Sequence, residues 1–325
     1  MKKPLSSPVP ALSAVAVTGL ALYAGLALRR RLSSPDPYTA PRKVVLITGG
    51  SRGLGFAIAR RYARSGARLA LAARTPNQLA TAREQLLALY PGHAEEDILL
   101  LPADLTDPTQ AAAIVRDTIA HFGHLDILVN NAGIITVGPV DNQSLATYTD
   151  AMQTNFFAAL YTIDAALPHL LSRAATGHTP AIVNISSVGG KIAVPHMLPY
   201  TASKFALAGF SEGLHAELRG RGIRVTTVCP GLMRSGGEAH AQFTGNLSKE
   251  QRWFNLSAKT PIVATSVTHA ANKIFHAVAA GRAEITITPQ AWLAARFAGL
   301  APETTQRAAS FANDYLLPAP EKSLP

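Results

Sequence analysis

The sequence predicts a single doubly wound α/β domain: a seven-stranded parallel sheet with helices on both faces. Three observations lead there. Short, β-branched apolar runs alternate with stretches of helical period, the runs are apolar almost throughout rather than every second residue, and polar residues collect directly after them. Continuous apolar strands are buried on both faces, and alternation with helices is the pattern of parallel sheets.

The runs are "KVVLIT", "ARLALAA", "ILLLPA", "LDILVN", "PAIVNIS", "IRVTTVC" and "EITIT" near 284–288. Between them lie helical stretches at 54–65, 76–90, 108–122, 144–173 and 198–220. Together they predict one domain of the Rossmann type over 43–288. In such sheets ligands bind beyond the carboxyl ends of the strands, where the strand order switches.

Composition is that of a packed globular protein, 48% hydrophobic. The single cysteine, Cys229, excludes an internal disulfide framework and a cysteine-rich metal site. The net charge of +10 does not mark nucleic-acid binding. Lys2, Lys3, Arg29, Arg30 and Arg31 supply half of it, and the remainder is scattered without a basic stripe. Between those clusters, Val9 to Leu28 carries no charge, a length that matches the hydrocarbon thickness of a bilayer. Residues 1–31 therefore read as a single-pass membrane anchor, followed by a Pro-rich linker at 32–42. A cleaved secretory leader is the rival reading, against which stands the direct passage into three arginines. Charge counts on the two sides of the span are close, three arginines against two lysines, and the catalytic domain is expected to face the cytoplasm.

The chemistry begins at "TGGSRGLG", Thr48 to Gly55, between the first strand and the first helix. Gly49 suits the tight turn, while Gly53 and Gly55 allow close backbone approach. The helix start offers unpaired N–H groups to a pyrophosphate. Further along come Asp104 with Leu105, then "NNAG" containing Asn131, Ala132 and Gly133, then Asn155 in "MQTNFFAAL". Ser187 in "NISSVGG" precedes Tyr200 by thirteen residues, "YTASK" adds Lys204 one helical turn after Tyr200, and "CPG" supplies Pro230 and Gly231. Tyr200 and Lys204, four apart, share a helix face, and a nearby ammonium favours a phenolate.

This ordered set resembles the short-chain dehydrogenase/reductase family over about residues 43–288. The resemblance implies hydride transfer between a nicotinamide dinucleotide and a carbonyl or alcohol, with no metal. It assigns catalysis to Asn155, Ser187, Tyr200 and Lys204. Asn155 would anchor a water leading to Lys204, and Ser187, preferred over Ser186, would hold the carbonyl oxygen. Cofactor contacts fall on Thr48, Gly49, Ser51, Arg52, Gly53, Leu54, Gly55, Arg74, Asp104, Leu105, Asn131, Ala132, Gly133, Tyr200, Lys204, Pro230 and Gly231. It also implies a homo-oligomer, since relatives are commonly dimers or tetramers.

Two features refine the expectation. The second strand ends in Ala73-Arg74, with no acid for a ribose 2′-hydroxyl, and Arg52 lies in the glycine turn; two arginines favour a 2′-phosphate, hence NADP(H). Residues 232–260 read as a partly helical lid, with Phe243, Trp253 and Phe254 lining an apolar pocket alongside Ile192, His196 and Met197, or packing as the lid's own core. Ser235 stands where the family often carries a threonine. The tail, 289–325, reads as two short helices whose apolar face (Trp292, Leu293, Ala295, Phe297, Leu300) is expected to pack on its own domain. The leading function is reduction of a hydrophobic ketone or aldehyde with NADPH. The alternatives are an NADP-linked alcohol or steroid dehydrogenase working oxidatively, and a non-catalytic NADP-binding sensor.

Overall fold

Seven strands form the central sheet: β1 (Val44–Thr48), β2 (Arg68–Ala73), β3 (Ile98–Pro102), β4 (Ile127–Asn130), β5 (Ala181–Ile185), β6 (Arg224–Cys229) and β7 (Glu284–Thr286). They are seen in a computed structural model that describes residues 42–234, 236, 241–259 and 264–320. The spatial order is β3-β2-β1-β4-β5-β6-β7, with every pairing parallel. The order reverses between β1 and β4, so the crevice expected of a doubly wound sheet opens there. The expected anchor and linker, and Ser235, lie outside the described residues; among the described residues no helix is long and apolar enough to cross a membrane.

The crossover helices are α1 (Gly53–Ala63), α2 (Pro76–Leu89), α3 (Pro108–Phe122), α4 (Leu145–Met152), α5 (Ala158–Ala175), α6 (Leu198–Arg219), α7 (Leu247–Lys259) and α8 (Val267–Ala279), followed by α9 (Pro289–Leu300) and α10 (Pro302–Leu316). Several starts follow from sequence. Prolines occupy the first turns of α2, α3 and α6, where no donor is lost. Asp107, Ser144, Ser266 and Thr288 cap α3, α4, α8 and α9 with side-chain oxygens. All five residues of β1 and of β5 are buried, as helices on both faces require.

A chain of buried polar side chains links strands through the core. Thr162 Oγ1 donates to Asn130 Oδ1 at 2.7 Å, Asn130 Nδ2 to Asn184 Oδ1 at 3.0 Å, and Asn184 Nδ2 to Ser211 Oγ at 3.0 Å. Thr227 Oγ1 closes it on Ser211 Oγ at 2.7 Å. These groups are satisfied without water, so their burial carries no large desolvation cost. They also tie α5, β4, β5, α6 and β6 into one rigid plane beneath the strand ends.

Two departures from the sequence reading are structural. The predicted helix at 144–173 is interrupted by a five-residue π turn, Gln153–Phe157, that holds Asn155. The tail forms the two helices expected, but Trp292, Leu293, Phe297 and Leu300 are exposed rather than packed on the domain. Only Ala291 of α9 is buried, so the apolar stripe lies on the face turned from the core.

Candidate active site

The glycine turn leaves β1 and enters α1. Gly49 and Gly53 take φ of 62° and 56°, the left-handed region. At Gly55 a Cβ would stand 2.1 Å from the Gly49 carbonyl oxygen, so only glycine lets helix and turn close on each other. Arg52, the N-cap of α1, supplies no side-chain cap, which leaves the helix start to accept an anion. The turn is braced from the neighbouring strand: Thr48 Oγ1 accepts from the backbone N–H of Asn131 and Ala132 at 2.9 and 3.0 Å. Asn131 Nδ2 donates to the carbonyls of Thr48 and Gly49 at 3.0 and 3.2 Å. The glycine turn and the "NNAG" loop are thus one unit, with Gly133 exposed on it.

Arg52 and Arg74 are both exposed, and neither pairs with a carboxylate among the described residues. The Arg52 guanidinium is held below its usual pKa by partial burial and then by the charge of Arg74, so the two cations are close enough to feel one another. Ser51 reaches Gln78 on α2 at 3.5 Å. Asp104 is exposed at the end of β3, one oxygen accepting from Thr106 N and Oγ1. Leu54 and Leu105 are buried, so any contact they make with a dinucleotide falls to their backbone.

On the other side of the crevice, α6 carries Tyr200 in its first turn and Lys204 in the next. Lys204 is buried, its Nζ donates to the Ile185 carbonyl at 2.9 Å, and burial brings its pKa down to about 8. Tyr200 is half-buried, and Lys204 Nζ lies 5.8 Å from its ring centroid. The phenol is pushed above its usual pKa by burial, which the hydrogen bond with Ser187 opposes. The expected acidification of the phenol by Lys204 is not what is found: the opposing influence is the Ser187 bond, and desolvation outweighs it.

The two serines separate cleanly. Ser186 is buried and its hydroxyl donates to the Lys204 carbonyl at 2.8 Å, bracing α6 against β5. Ser187 caps the short turn Val188–Gly190, accepting from Gly189 N at 3.0 Å, and engages Tyr200. Val188 N donates to the Pro230 carbonyl at 2.8 Å, so the "CPG" segment positions the Ser187 turn. Gly231 sits against Thr288 and Ala291 at the start of α9.

The Asn155 side chain braces the backbone around it. Its Oδ1 accepts from Ile134 N at 2.8 Å, and its Nδ2 donates to Ile134 O at 3.1 Å and Ser203 Oγ at 2.9 Å. Both amide N–H groups are spent, so its side chain clamps the loop after β4 to α6 at the residue directly before Lys204. The lid also differs from a simple apolar wall. Phe254 and Met197 are buried with Val137, and Phe243 and Trp253 pack on them together with Tyr200. His196 is buried, sets its ring edge-on to Trp253 with 6.4 Å between centroids, and bonds Glu250, a residue that sequence reasoning passed over. Asn184, Ser203, Ser211 and Thr227 were likewise not singled out. Asn184 had a signal, a polar residue inside the apolar run "AIVNI".

The residues singled out in the sequence are therefore gathered at the strand ends, and the chain is similar to several known proteins. The family described as short chain dehydrogenase matches residues 43–243. A dehydrogenase/reductase SDR family protein 7-like of Anopheles gambiae is 37% identical over 59% of this chain and 60% of its own length. The 11-beta-hydroxysteroid dehydrogenase 1A of Arabidopsis thaliana is 40% identical over 62% of this chain and 56% of its own. The chain thus spans less than two thirds of these relatives. Among solved structures, L-sorbose reductase from Gluconobacter frateurii, complexed with NADPH and L-sorbose, is 25% identical over 75% of this chain and 94% of its own, with a TM-score of 0.65. With its family match, its strand order and its ordered motifs in agreement, the chain belongs to the short-chain dehydrogenase/reductase family.

Proposed function

We propose that the chain is a membrane-anchored, NADPH-dependent reductase of apolar ketones or aldehydes. The observation that carries the reaction is the Ser187–Tyr200 hydroxyl pair beside a buried Lys204 amine, at the strand ends where the glycine turn also opens. The residues present fit a dinucleotide: the uncapped start of α1 and the Gly55 approach suit a pyrophosphate, and Arg52 with Arg74 suits a 2′-phosphate. The dinucleotide supplies the hydride when bound.

The chain's own residues do the rest. Ser187 holds the carbonyl oxygen and stabilises negative charge developing there. Tyr200 gives its proton to that oxygen, and a raised phenol pKa suits it to remain protonated until charge appears. Lys204, with a pKa about 8, holds positive charge beside the reacting oxygen and hydrogen-bonds the cofactor's ribose. Asn155 keeps the loop after β4 and α6 in register. The aromatic lid residues packed by Tyr200 support an apolar substrate, and Val9 to Leu28 supports a bilayer location with the catalytic domain on the cytoplasmic side. The exposed face of α9 is consistent with a partner surface, a second copy included.

Four outcomes are expected. NADPH oxidation across a ketone panel should favour hydrophobic over small polar ketones. Tyr200→Phe should cut kcat/KM by about 10²–10⁴-fold while NADPH binding changes little; unchanged turnover in that variant removes Tyr200 from the reaction. Replacing Arg52 or Arg74 by Ala should raise the KM for NADPH by roughly 10–100-fold, the worth of one charged hydrogen bond, and leave that for NADH alone. Equal effects on both cofactors would contradict a 2′-phosphate site. The fourth concerns pH. Bound phosphates and ribose oxygens favour the Lys204 ammonium, so binding raises its pKa above about 8. Affinity is then full below pH 8 and falls as pH rises through it, by up to about tenfold per unit. Fluorescence titration of NADPH from pH 6.5 to about 10 should show that bend, and Lys204→Met should abolish it.

A further inference from the structure

Glu250, in the first turn of α7, has no exposed surface. Each of its oxygens is claimed. Oε1 accepts from His196 Nδ1 at 2.9 Å, and Oε2 accepts from Trp253 Nε1 at 2.6 Å. The carboxylate partner assigns the proton to Nδ1 of His196. His196 is itself buried and adopts φ of 63°, a conformation that a non-glycine residue keeps only where its surroundings impose it. Its carbonyl accepts from Gly138 N at 2.6 Å. It stands four residues before Tyr200, in the segment that leads the chain into α6.

A buried carboxylate is tolerated when its partners are in place and strongly destabilising when they are not. Lifting α7 would strand Glu250 and His196 together, so the bonds favour one seated position of the lid. That position matters because Trp253 and Phe254 of α7 pack in the same apolar cluster as Met197 and Tyr200. We infer that Glu250 is a positioning residue that latches the lid onto His196 and so fixes the apolar wall beside Tyr200, deciding how much apolar bulk a carbonyl substrate can bring. The inference rests on the reading of Tyr200 as the proton donor.

The test compares Glu250→Ala with Glu250→Gln in full-length protein carrying Trp292→Phe, so that Trp253, the other of the two tryptophans, reports alone. Gln keeps both bonds: its oxygen accepts from Trp253, and its amide donates to His196 Nδ1 in the opposite tautomer. In Glu250→Ala, acrylamide should quench Trp253 more strongly. The KM for a bulky hydrophobic ketone should rise about tenfold or more, with kcat falling less than about threefold and NADPH affinity within about twofold. Glu250→Gln should restore most of the lost affinity. Trp253→Phe, which deletes one bond and keeps an aromatic ring, serves as the milder variant should Glu250→Ala not fold, and should shift KM in the same direction. The latch is overturned if KM, kcat and NADPH affinity fall together with the melting temperature, if Gln behaves like Ala, or if Trp253 quenching or the bulky-ketone KM is unchanged. A parent protein that turns over no ketone would instead refute the reading of Tyr200, and Trp253 quenching would still decide whether Glu250 seats the lid.

Discussion

Everything at the site leans on one ammonium taken out of water. Lys204 is buried, and among the described residues its Nζ has one hydrogen-bond partner, the carbonyl of Ile185 at the end of β5. Desolvation moves its pKa far enough to make the charge conditional near neutral pH. Such a group is useful only if its surroundings are rigid, and the structure supplies that rigidity from three sides. Ser186 ties the Lys204 carbonyl to β5, Asn155 ties α6 to the loop after β4, and the Thr48–Asn131 bonds tie that loop to the glycine turn. The glycine turn and α6 are in this way held by the same short hydrogen bonds.

Much of this was legible in the sequence, for a physical reason. Strands buried on both faces must be apolar throughout, and a glycine turn between strand and helix leaves few conformations open, so β1 to β7 and the turn could be read from local pattern alone. Tyr200 and Lys204 came from the family resemblance, and helical spacing added only that they share a face. Local pattern could not say which of Ser186 and Ser187 points at the helix backbone and which at the phenol; in the structure Ser186 meets the backbone and Ser187 the phenol.

The rest depends on contacts distant in sequence. The bracing role of the Asn155 side chain could not be read locally, since its partners Ile134 and Ser203 lie 21 and 48 residues away. Glu250 sits in a stretch, "LSKEQRW", that reads as an ordinary solvated helix start; its burial appears only when His196, 54 residues earlier, folds beneath it. Local pattern made the tail an amphipathic pair of helices but could not say which way the apolar stripe faces, and it faces outward.

The most direct measurement of the central claim is the ionisation of Lys204 itself. Lysine side-chain NMR on protein labelled at the lysine ε-carbon, with Lys204→Met to assign the resonance, follows that amine through a pH titration in the cofactor-free protein. The account predicts a midpoint about 8. A midpoint at the ordinary value of 10.5 would show a hydrated, unconstrained amine and contradict it.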